Sequence, residues 1–141
     1  MKIVAFLQNQ WFHEPEKVRS IYARNPGRRE ALNKRFLFAK SFTGRRLRAA
    51  FGELCDEIVW EETSPEIGDK SSAEFPPDAE HIQRVLDKHQ PDLVLLFGRN
   101  ALKGVSPLWT GATVCFPHPA ARTLKPSEIR KWHLQLEPYL R

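Results

Sequence analysis

Asp92-Leu93-Val94-Leu95-Leu96-Phe97 is followed at once by Gly98-Arg99-Asn100-Ala101. Five apolar residues in a row, with no polar alternation, mark a strand covered on both faces, as a central parallel strand must be. Pro91 in front closes whatever precedes it, and the Gly-Arg-Asn-Ala segment turns into a short helix. The same grammar recurs on either side. Lys2 to Leu7 reads as a first buried strand and Glu57 to Trp60 as a second. Ala112 to Phe116 reads as the last. Between them lie segments of helical spacing. Short helices are expected within Pro15 to Ala23 and near Arg28 to Phe36. Leu47, Ala50, Phe51 and Leu54 mark another over residues 44–55. Ile82, Val85 and Leu86 mark one that starts at Asp78 and runs to about Lys88. Ile129, Trp132, His133, Leu136 and Leu140 form the stripe of a terminal helix, Pro126 to Leu140. Residues 61–77 read as a loop. The order β-α-β-α-β-α-β-α implies right-handed crossovers and an α/β fold: three layers, α/β/α, around a four-stranded parallel central sheet.

The length of 141 residues and a hydrophobic content of 41% suit one domain spanning residues 1–141. No apolar run is long enough to cross a bilayer, and the short run after Lys2 lacks a cleavage pattern, so a cytoplasmic protein without membrane contact is expected. Cys55 and Cys115 are far apart and sit beside apolar residues; both are expected to be buried free thiols. With no CxxC pair and no metal spacing among the histidines, neither a metal nor any other cofactor is expected. The net charge of +5 is unevenly placed: eleven Lys or Arg and a single acid, Glu30, lie between Lys17 and Arg48. A cationic stretch with aromatic residues interspersed suits a polyanion whose bases can stack, and so points to nucleic acid or nucleotide.

Two polar loops leave strand ends. Gln8-Asn9-Gln10-Trp11 follows the first strand, and Pro117-His118-Pro119-Ala120-Ala121-Arg122 follows the last. Prolines on both sides of His118 stiffen its loop. In open α/β sheets, ligands bind at the carboxyl ends of the strands.

Four separated pieces, taken together, resemble the uracil-DNA glycosylase superfamily. Leu7-Gln8-Asn9-Gln10-Trp11-Phe12 is similar to the family's first motif, GQDPYH in one branch and GxNPG in the mismatch-specific branch. Ser41-Phe42-Thr43-Gly44-Arg45 looks like PFVGR of the thermostable branch. Pro91 to Ala101 is similar to the family's strand-Gly-x-x-Ala piece, and His118-Pro119-Ala120-Ala121-Arg122 to HPSP with the intercalating residue after it. The sequence departs from those patterns at Leu7 (for Gly), Gln10 (for Pro) and Ala120 (for Ser). It has no base-reading Asn on the second strand, where Thr63 or Ser64 lie nearest, and it lacks the four-cysteine cluster of the thermostable branch.

The resemblance implies a monofunctional DNA N-glycosylase that removes uracil or a related altered pyrimidine from a flipped-out nucleotide. Asn9 and His118 would be catalytic, one positioning water and the other stabilising the departing base. Gln8, Trp11 and Phe42 would contact the base, with Phe42 stacking on it. Arg45, Ala120, Arg122 and Lys125 would face the DNA, Arg122 filling the gap left in the duplex. The partner would be duplex or single-stranded DNA, and a monomer is expected. A nucleic-acid-binding module without excision and a nucleotide N-glycosidase are the alternatives.

Overall fold

A computed structural model describes residues 1–8, 10–39, 41–70 and 72–140. In chain order the elements are β1 (Ile3–Leu7), β2 (Gln10–Trp11), α1 (Pro15–Arg24), α2 (Arg29–Ala39) and α3 (Phe42–Phe51), then β3 (Val59–Glu62) and β4 (Ile67–Gly68). There follow α4 (Ala79–His89), β5 (Leu93–Phe97), α5 (Arg99–Val105), β6 (Thr113–Phe116), α6 (Pro126–Arg130) and α7 (Glu137–Leu140). The main sheet is four-stranded and parallel throughout, in the order β3-β1-β5-β6.

The strand periodicity of two sorts the core into two faces. Ile3, Ala5 and Leu7 of β1, with Leu93, Leu95 and Phe97 of β5, pack against Leu47, Ala50 and Phe51 of α3, Ile129 of α6 and Trp132. Val4, Phe6, Val94 and Leu96 face the other way, onto Ile82, Val85 and Leu86 of α4 and Ala101 and Val105 of α5. Every residue of β1 and β5 is buried, which is what unbroken apolar runs require. Local signals set the helix ends. Asp78 caps α4 by accepting from the His81 amide at 3.0 Å, and Gln90 stops it in the left-handed region (φ 44°) just before Pro91. Ser41 caps α3 by accepting from the Gly44 amide at 2.8 Å.

Four expectations need correction. The second strand runs two residues later than the apolar pattern suggests. Pairing with β1 continues through Phe6↔Glu61 and Leu7↔Glu62, so backbone ladder bonds carry two carboxylates into the strand despite their low strand propensity. The loop over 61–77 is not featureless: Ile67–Gly68 pairs in parallel with Gln10–Trp11. The terminal helix is broken into α6, a 3₁₀ turn over Trp132–Gln135, and α7. Pro138, one residue into α7, cannot donate to the carbonyl four residues earlier and would clash with it, so one continuous helix is not available. Ile129, Trp132 and Leu136 still face the core, whereas His133 and Leu140 are exposed. Finally, Cys55 is buried but Cys115 is exposed: β6 lies at one edge of the sheet, with Val114 and Phe116 buried on one face and Cys115 on the other. Among the described residues, no helix is long and apolar enough to cross a membrane.

Candidate functional site

A cleft of about 220 Å³ opens at the carboxyl ends of β1 and β3. That lies below the roughly 300–1,000 Å³ of drug-sized sites and suits one flat ring. Leu7, Gln8, Gln10, Trp11 and Phe12 form one wall. Phe36 and Leu37 of α2 and Ser41 and Thr43 at the start of α3 form another. Glu62 closes the end of β3, and His118 and Ala120 enter from the loop after β6.

His118 is held from three directions. The Ala120 amide donates to its Nδ1 at 3.1 Å. An N–H can be accepted only by an unprotonated ring nitrogen, so the neutral imidazole carries its proton on Nε2. Burial pushes the His118 pKa below the usual histidine range, which keeps the ring neutral. Gly98, at φ +91°, lies beneath it: a Cβ there would come within 3.2 Å of the His118 Cβ. The third constraint is Arg46, whose guanidinium donates to the carbonyls of Pro119 (2.8 Å), Ala121 (3.0 Å) and Leu124 (3.4 Å). A cation counted in the basic stretch is therefore half-buried and structural.

The opposite wall is fixed through its backbone. The Thr63 hydroxyl donates to the Gln8 carbonyl at 2.7 Å, and the Thr63 amide bonds the Leu7 carbonyl at 3.0 Å. The Gln10 amide joins a network: its Nε2 donates to Asn33 Oδ1 at 3.0 Å, and the Tyr22 hydroxyl lies within hydrogen-bond distance of both residues. Trp11 is 41% exposed and stands edge-on to His13, so the indole rims the cleft without plugging it.

Glu62 is one of two cleft residues, with Phe36, that sequence reasoning missed. Its Oε2 is buried with no hydrogen-bond partner. Burial, and then the neighbouring Glu61 carboxylate, push its pKa up to about 8, against a smaller opposing pull from Arg29. Thr63 and Ser64 do not fill this role. Thr63 is committed to Gln8, and Ser64 accepts from the Glu66 amide at 3.2 Å; both are buried. A carboxylate after an apolar run reads as a loop residue, and it is the register of β3 against β1 in the structure that places Glu62 in the strand. Phe36 was missed because its helix shows no clear apolar stripe.

The structure thus brings Gln8, Trp11, Ala120 and His118 to one cleft. Phe42 does not line it. As the first residue of α3, Phe42 points into an adjoining groove with Arg45, Ala49, Pro126 and Arg130, half exposed and with the Arg46 guanidinium 4.3 Å from its ring centre. Arg45, Arg122 and Lys125 are exposed. Asn9 lies outside the described residues. Other cations of the basic stretch hold carbonyls of the chain itself: Arg19 that of Ile67, Arg29 that of Pro65, Lys34 that of Asp56. Among the described residues, no group of three or more His, Cys, Asp or Glu is placed to hold a metal ion.

No protein-family model matches the chain, and no curated protein matches its sequence.

Proposed function

We propose that the chain is a DNA N-glycosylase acting on uracil or a related altered pyrimidine, a divergent member of the uracil-DNA glycosylase superfamily with that family's three-layer fold. The observation that carries the reading is the convergence of Gln8, Trp11 and a tautomerically fixed His118 on one ring-sized cleft, from loops after β1 and β6. When an N-glycosidic bond breaks, its electron pair leaves with the base, and positive charge develops on the sugar. The Nε2–H of His118 is a preorganised donor for the base carbonyl on which the negative charge collects. Such a donor lowers a barrier by about 3 kcal/mol in a dry site. Its lowered pKa favours this role, because it donates as a neutral ring without delivering a proton.

Asn9 is the amide assigned to the attacking water. A carboxamide orients water but takes no proton, so turnover is slow, by roughly 10²–10⁴ relative to an enzyme with a general base. Trp11 and Phe36 take the stacking place first given to Phe42. Exposed Arg45, Arg122 and Lys125 are available to phosphates, which makes affinity fall with salt.

The test is incubation with duplex and single-stranded oligonucleotides carrying uracil and other altered pyrimidines, then alkali and gel separation. Alkali-labile strands at the altered position are expected, with His118→Ala slower by about 10²–10³. Intact strands across the whole panel would overturn the reading.

A further inference from the structure

The Glu62 side chain takes no part in that chemistry. It lines the same cleft as His118 and Trp11, from the end of β3. One of its oxygens is buried and bonded to nothing, next to the buried Glu61. A buried polar atom without a partner in the protein costs stability, and its place in a cleft wall suits a hydrogen bond to a ligand.

We infer that the Glu62 carboxyl reads the edge of a planar heterocycle seated in the cleft, pairing in its protonated form with one donor beside one acceptor. The inference rests on the glycosylase reading for its substrate class, and it adds the group that selects the base. A protonated carboxyl has one O–H and one C=O side by side. It complements the amide edge of a uracil-type ring or the amidine edge of a cytosine-type ring, each through two parallel hydrogen bonds. An ionised carboxylate offers two acceptors and fits neither edge as well.

The surroundings favour the protonated form. Glu61 repels a charge from the adjacent strand position, while Arg29 from α2 gives partial compensation. Other titratable groups also face this corner, and Tyr22 is near enough for the Glu62 charge to act on it. Tyr22 of α1 is tied to Gln10 and Asn33. His81 of α4 has its Nε2 3.0 Å from the Glu62 main-chain oxygen and 3.6 Å from Glu61 Oε1, not on the Glu62 carboxyl. His118 is neutral, and Glu74 at the cleft mouth is exposed and acidic. The carboxyl therefore titrates near pH 8, and the edge-reading state is lost above that.

Calorimetric binding of free rings tests this without any polymer. The probes are 1-methyluracil and 1-methylcytosine, whose blocked N1 imitates the glycosidic attachment, and 1,3-dimethyluracil, whose edge is also blocked. At pH 7 the wild-type protein should bind one or both monomethyl rings at least about tenfold more tightly than the dimethyl ring. That preference should shrink about tenfold by pH 9, as a group titrating near 8 requires. Glu62→Gln, which keeps a donor beside an acceptor and cannot ionise, should retain the preference and lose the pH dependence. Glu62→Ala should lose the preference. Equal binding of all three rings, binding of none, or an unchanged alkaline fall in Glu62→Gln would overturn the inference. If the rings discriminate as stated while oligonucleotides stay intact, the glycosylase reading fails and the role of Glu62 stands. If bases are released from DNA and Glu62→Ala changes neither rate nor pH profile, the reverse holds.

Discussion

Gly98 shows how much of the site rests on a missing side chain. Its φ of +91° is costly for any L residue, and a Cβ would press on His118 from 3.2 Å. Gly98→Ala is expected to lower stability by about 1–2 kcal/mol and to slow the proposed base release more than that loss accounts for, since the imidazole is displaced. Urea unfolding and single-turnover excision, run side by side, check it; full excision activity would show that the ring tolerates the shift. His118 was legible in the sequence because proline on both sides fixes a loop wherever it occurs. Gln8 and Trp11 were legible because they directly follow an apolar strand. Glu62 was not. Side-chain polarity argues against a strand, and only the pairing of Leu7 with Glu62 reveals that the ladder continues. The place of Phe42 was not legible either: it opens α3, and one position along that helix decides between the cleft and the groove beside it.

The helices that carry the site walls meet at contacts of unequal tolerance. Gly44 on α3 faces α2 so closely that a Cβ would lie 1.9 Å from the Leu37 carbonyl oxygen, and the Ser41 hydroxyl also donates to that oxygen at 2.6 Å. Gly44→Ala must push α2 and α3 apart, at a cost of about 1–3 kcal/mol, and it widens the wall formed by Phe36, Leu37 and Thr43. Denaturant midpoints measure the first effect; a weaker affinity for the monomethyl rings measures the second. Arg46→Ala should act differently, with modest loss of global stability but faster amide hydrogen exchange across residues 120–124, in the segment whose Pro119, Ala121 and Leu124 carbonyls it holds. Unchanged exchange there would mean that the prolines alone fix the loop. β5 and the cap of α4 were readable because they obey local rules: apolar on both faces, and aspartate before a helix with proline after it. The short β2–β4 pair was not, since two-residue strands leave no periodicity, and neither was the break before α7, where the apolar stripe outweighed Pro138.

Charge and pH act on the molecule as a whole. Glu62 binds its proton more tightly in the folded chain, near pH 8, than at its ordinary value near 4.5. Its contribution to stability is complete below about 4.5 and is lost as pH rises toward 8, because the unfolded chain gives up a proton that the folded one keeps. The slope is at most about 1.4 kcal/mol per pH unit. Glu30 works the other way. Burial opposes its charge, but His89 and Lys88, at 2.7 and 3.2 Å, outweigh that and lower its pKa, so its contribution is present above its ordinary value and is lost as pH falls through the lowered one. Melting temperatures from pH 5 to 9 should therefore decline less in Glu62→Gln than in the wild type; parallel curves would contradict the assignment. The basic stretch between Lys17 and Arg48 was read from composition as one polyanion surface, yet Arg19, Arg29, Lys34 and Arg46 spend their charge on the chain's own carbonyls. Arg46 has a further consequence. One guanidinium lies on the Phe42 ring in the outer groove and also grips the segment behind the imidazole. Under the proposed function, a phosphate that drew this cation outward would slacken the very tether that aims the histidine, so grip on a polymer and aim at its base would compete for a single side chain.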